Sequence, residues 1–203
     1  MSAITASTRR GGAVASRVPG EAGLWVFLLL DLLFFASIFG TFMVERSNEP
    51  EVFDASRANL EIAWGAANTV ILLTSSLAMA FAVRCVHNGA LVQGRRFVAA
   101  AAGLGVWFLL NKGLEWGAEI RAGHVPTENK FFLMYFTSAG IHLLHVFIGL
   151  SVLAYLYAAI TRDLRRGKGA SPVLQRNTEA GGVYWHLVDM LWVVLFALLY
   201  LTV

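Results

Sequence analysis

The 203-residue chain is 57% hydrophobic and only 14% charged, with a mean hydropathy of +0.63. A water-soluble domain carries about 25% charged residues, so this composition excludes an ordinary soluble enzyme and points to lipid as the solvent. The net charge of +3 is too small to read as a nucleic-acid-binding balance, and the single cysteine, Cys85, excludes an intrachain disulfide. Cys85 reads as a small apolar filler near the end of an apolar stretch.

The first twenty residues contain Arg9, Arg10 and Arg17 and no acid before Glu21. They resemble a short transit peptide in composition and read equally as a basic cytoplasmic tail, here taken as residues 1–20. A bilayer core of about 30 Å needs roughly 20 apolar residues per helix. Five stretches meet that length, at about 24–44, 64–86, 97–116, 131–160 and 182–203. Backbone groups in lipid must be bonded within their own segment, which predicts an all-α bundle of five transmembrane helices. The fourth stretch exceeds the bilayer and is expected to tilt or project.

Eleven basic residues fall on one side: those of the tail, Arg84, Arg95 and Arg96 after the second helix, and Arg162, Arg165, Arg166, Lys168 and Arg176 after the fourth. Four (Arg46, Arg57, Arg121 and Lys130) fall on the other. This bias predicts the N-terminus inside and the C-terminus outside. The acidic segment 45–61, with Glu49, Glu51 and Asp54, then faces outward, as a solvated loop or a docking surface for a basic partner.

Ionisable residues at membrane depth are costly and mark pairing or function. The first helix has Asp31. The third has Lys112, Glu115 and Glu119, the fourth His142 and His145, and the fifth His186 and Asp189. Lys112 and Glu115, His142 and His145, and His186 and Asp189 are each three apart, so each pair shares a helix face. Trp185 and Trp192 flank Asp189. The polar faces are expected to point inward, with Lys112 or a histidine pairing each of Asp31, Glu115 and Asp189. Asn68 can donate and accept across a helix contact. Gly65, Ala66, Ala67, Thr74, Ser75, Ser76 and Ala78, with Ala99–Ala102, Gly103 and Gly105, predict close helix packing.

His142-Leu-Leu-His145 looks like part of a metal site, but a di-metal carboxylate centre wants Glu-x-x-His pairs on two helices, which the sequence lacks. A bis-histidine haem would leave only His186 as a partner. No nucleotide loop, nucleophile elbow or Cys-x-x-Cys occurs. The expectation is a chain without catalytic residue, metal or cofactor of its own.

At these residues a family resemblance emerges. The run Tyr184-Trp185-His186-Leu187-Val188-Asp189-Met190-Leu191-Trp192 resembles the terminal-helix signature of cytochrome c oxidase subunit III. The run Gly140-Ile141-His142-Leu143-Leu144-His145-Val146-Phe147-Ile148-Gly149-Leu150 is similar to the preceding helix of that family. Asn68-Thr69 with Leu72-Leu73 and Ser75-Ser76, Glu115-Trp116 and Asp31-Leu32-Leu33-Phe34-Phe35 match earlier segments. The resemblance spans residues 21–203. It implies a bacterial inner-membrane subunit that binds no haem or copper, packs against a catalytic subunit I (with subunit II) that does, holds phospholipid and supports proton uptake. It implies that Asp31 is an acid near proton entry and that Glu115, His142, His145, His186 and Asp189 are the buried polar set. Asp31 stands where many members have Glu, and Lys112 where many have a neutral residue. Two N-terminal helices of larger members are missing, as in short bacterial forms. The same features resemble a NorE-like accessory protein of nitric oxide reductase.

Overall fold

A computed structural model describes residues 22–167 and 169–202; the expected basic tail, 1–20, lies outside them. The described chain is all-α. α1 (Ala22–Asn48) is followed by a short α2 (Pro50–Arg57), then α3 (Ile62–His87), α4 (Leu91–Arg121), α5 (Lys130–Arg165) and α6 (Pro172–Phe196). α6 continues as one π-helical turn, Ala197–Leu201. Five helices are long and apolar enough to cross a membrane, with mean hydropathies of 1.5–2.2. α5, at 36 residues, exceeds the bilayer as expected.

The helices run past the expected apolar stretches, furthest in α4 and α6. α4 reaches Leu91–Arg121 rather than 97–116, and α6 begins at Pro172 rather than at 182. The added turns carry polar residues: Gln93, Arg95 and Arg96 in α4, and Gln175, Arg176 and Asn177 in α6. Apolarity marks the part of a helix that sits in lipid, whereas backbone bonding carries the helix on into water until a cap or turn stops it. Ser171 supplies that start in α6. Its hydroxyl accepts from Leu174 N at 3.2 Å, and Pro172 occupies the first turn. Asn129 does the same for α5, accepting from Phe132 N at 3.0 Å. α2 has no hydropathy signal. Pro50 opens it, and it buries Phe53 against Phe42 and Phe131.

α3, α4, α5 and α6 form a closed ring, each packed on the next and α6 back on α3. The α3–α4 link is only three residues long and turns through Gly89, whose φ of +74° suits glycine. α1 lies outside the ring, against α5 and α6. Only 17% of its apolar window is buried, against 50% for the last helix. Apolar clefts of about 340 and 370 Å³ flank it. The first is lined by Phe39, Phe42, Met134 and Leu198, the second by Phe27, Val152, Leu156 and Tyr184.

The small residues split. Gly65, Ser75, Ala101 and Gly105 are buried at helix contacts, but Ala66, Ala67, Thr74 and Gly103 face outward. Their run is longer than one helix face, so only part of it can meet a neighbour. Three of the acids in segment 45–61 are paired, two of them by a lysine outside it. Lys130 bridges Glu45 and Glu49 at 2.8 Å each, Arg46 reaches Asp54 at 3.3 Å, and Asn129 donates to Ser56 at 3.0 Å.

Candidate functional site

The ring encloses a polar cluster built on α4. Two turns of that helix place Lys112, Glu115 and Glu119 on its buried face. Lys112 is wholly buried, and its ammonium donates to Glu115 Oε1 at 2.9 Å, Tyr200 Oη at 2.8 Å and Tyr135 Oη at 3.1 Å. Tyr135 donates to the same Glu115 oxygen at 2.6 Å, and Tyr200 donates to it as well. Three donors from α4, α5 and the C-terminal π turn thus converge on one carboxylate oxygen. The aromatic faces of Tyr135, Trp192 and Tyr200 surround the ammonium, with centroids at 4.6–5.4 Å. The pair is neutral as a unit, which is what burial in a low-dielectric interior demands. Further along α4, Glu119 bonds His124 at 2.7 Å, and the imidazole stacks on Phe132.

A second polar contact ties α1 to the ring. Asp31 Oδ1 meets His145 Nε2 at 2.9 Å, while His145 Nδ1 meets the Ile141 carbonyl at 2.8 Å. A carbonyl oxygen can only accept, so Nδ1 carries a proton. The Nε2–Asp31 bond therefore holds one further proton, on one atom or the other, and the pair has no net charge either way.

The third group lies between α3 and α6. Trp185 donates from Nε1 to Ser75 Oγ at 3.0 Å, and Ser75 donates to the Ala101 carbonyl at 2.8 Å, linking three helices. Trp192 donates to Thr69 at 3.1 Å. His186 Nδ1 pairs with Ser76 Oγ at 2.5 Å. Asp189 is buried beside the Ser76 hydroxyl and, among the described residues, pairs with neither Lys112 nor a histidine.

The expectation that every carboxylate is paired thus holds for Asp31 and Glu115 and fails for Asp189. His142 and His145 also part company. His145 turns to α1, whereas His142 is sealed among Phe108 and Trp192, neither ring nitrogen bonded among the described residues. Nor do all the polar faces point inward, since His186 is exposed on the outer surface of the ring. Asn68 does reach across a helix contact, accepting from Asn111 of α4 at 2.8 Å. Tyr135, Tyr200 and Asn111 are absent from the sequence reading, and Ser76 enters it only as a small residue at a helix contact. A buried tyrosine hydroxyl needs a partner, so tyrosines within apolar spans were the available signal for the first two. Among the described residues no three His, Cys, Asp or Glu side chains come together as metal ligands.

A family model, cytochrome c oxidase subunit III, matches residues 5–202. The chain belongs to the cytochrome c oxidase subunit III family. It is 32% identical to subunit 3 of the cytochrome bo(3) ubiquinol oxidase of Pseudomonas aeruginosa, covering 88% of this chain and 83% of that one. It is 28% identical to cytochrome c oxidase subunit 3 of Thermostichus vulcanus, covering 88% and 85%. It is also similar to the haem–copper oxidase subunit I+III of Aeropyrum pernix, at 27% identity, where it covers 89% of this chain and 22% of the longer one. The nitric oxide reductase alternative finds no support in these matches. All three polar groups fall within the part of the chain that the family model spans.

Proposed function

We propose that the chain is the non-catalytic subunit III of a terminal haem–copper oxidase, seated in a bacterial plasma membrane with its N-terminus inside. It docks on catalytic subunit I, with subunit II, and supports the stability and proton uptake of the catalytic unit in aerobic electron transport. The observation that carries this reading is the match over nearly the whole chain to separate subunit 3 proteins of oxidases. The geometry is consistent with it. The Lys112–Glu115 cluster is closed off by aromatic rings and built to hold helices together. The apolar clefts beside α1 have the dimensions for acyl chains, and phospholipid filling them would steady the loosely held helix. Haem and copper belong to the partner in this reading.

Asp31 is the buried carboxylate that joins α1 to the ring, and we assign it the role near proton entry. A gentle-detergent pull-down of the tagged chain is expected to bring haem and copper with subunit I; haem retained by the isolated chain would overturn the assignment. In the assembled oxidase, Asp31→Asn is expected to lower turnover, or shorten its duration, by about fivefold, the lower end of measured couplings between sites. Unchanged turnover and unchanged lifetime would remove Asp31 from proton uptake.

A further inference from the structure

We infer that the α3–α6 face centred on His186 is the surface that meets the catalytic subunit; this rests on the subunit III reading. Most of the membrane-facing surface of the ring is compatible with lipid. α1 presents Val26, Leu30 and Leu33, α4 presents Trp107 and Leu110, and α5 presents Leu144 and Phe147. Several exposed hydroxyls are also reconciled with lipid, because they bond back to a carbonyl of their own helix. Ser37 donates to Phe34, Thr74 to Val70 and Ser151 to Phe147, at 2.6–3.0 Å.

His186 breaks that pattern. It lies near the middle of α6 and, among the described residues, is the one ionisable side chain exposed at mid-span. Its Nδ1 is held by Ser76 of α3 and no group of the described chain bonds Nε2, so the ring presents a free polar edge outward. An imidazole edge in hydrocarbon is as costly as any unpaired polar group there, and such residues face a bundle interior, a water-filled cavity or a partner. Asp189 lies one turn further along the same helix, and Ser76, which pairs with His186, lies beside its carboxyl. On either side the surface is apolar and exposed: Leu73 and Leu77 on α3, Met190 and Val193 on α6. An apolar patch around a central polar group is the composition of a contact between membrane helices, where interhelical hydrogen bonds fix register. The occupant is a transmembrane helix of subunit I that offers a hydrogen-bonding side chain to His186 Nε2. The Aeropyrum pernix relative, which carries subunits I and III in one chain, accords with such proximity.

The test is made in the assembled oxidase, purified through the tagged chain. A photo-crosslinking amino acid is placed at Leu73 or Met190, and in separate variants at Leu33, Leu110 or Phe147. Adducts with subunit I are expected from the first two alone. Adducts from the last three instead, or from none of the five while haem still co-purifies, would overturn the assignment of this face. Absence of haem and subunit I from the unmodified preparation would instead overturn the subunit III reading itself. The same purification with His186→Leu is expected to retain about threefold to tenfold less subunit I, and His186→Gln to restore most of it. A lipid-facing His186 would give the opposite, since leucine suits hydrocarbon better.

Discussion

Glu115→Gln is expected to destabilise the bundle by about 3–5 kcal/mol, because it leaves the Lys112 ammonium buried with only neutral partners. The carboxylate accepts from Lys112, Tyr135 and Tyr200 at a single oxygen, so its loss weakens contacts among α4, α5 and the C-terminal π turn together. Lys112→Met alone should also be costly, since two tyrosine hydroxyls then face a carboxylate without its cation. The double variant Lys112→Met/Glu115→Gln should recover most of the loss, because replacing both members of a buried pair with groups of similar size is close to neutral. Thermal unfolding of the detergent-solubilised chain, read as a double-mutant cycle, measures the coupling. Additive single effects would show that the cluster does not hold the helices together as a unit.

Gly149→Ala comes next in size, and the reason is a gripped indole. A Cβ at Gly149 on α5 would lie 2.7 Å from Trp185 Cε3 and Cζ3, while one at Gly105 on α4 would lie 2.8 Å from Cη2. The ring cannot yield to one side without striking the other, and its Nε1–Ser75 bond fixes it against α3. Overpacking of this kind costs about 1–3 kcal/mol. Gly105→Ala should behave alike. Trp185→Phe, which removes one ring, should make Gly149→Ala tolerable while itself costing stability. Melting temperatures of the three variants decide the matter, and a Gly149→Ala protein as stable as the parent would show that the backbones can separate without cost.

Much of the architecture was legible in the residues. Lys112 and Glu115 at i, i+3 do pair, because that spacing stacks two side chains on one helix face. Asn68 accepts from Asn111 across the α3–α4 contact. The set failed where a residue's neighbours come from distant helices. His142 and His145 are also three apart, yet one is locked in an aromatic box and the other tethers α1. A step of three residues rotates a side chain by about 60° from its fellow, enough within a ring of four helices to meet a different neighbour. The same limit hid Tyr135 and Tyr200, which lie 65 positions apart and meet around Lys112 and Glu115.

The sequence by itself determined that five helices cross the membrane, because each span must satisfy its own backbone in lipid and so writes a local, continuous apolar signal. It determined the family as well, since the two C-terminal runs are contiguous. Only the tertiary structure decided which histidine pairs with Asp31, that Asp189 lies beside Ser76 with no histidine or lysine partner among the described residues, and that His186 looks outward. These are questions of which helix stands beside which, and helices in lipid are matched by close packing and hydrogen bonds between surfaces that no single segment encodes.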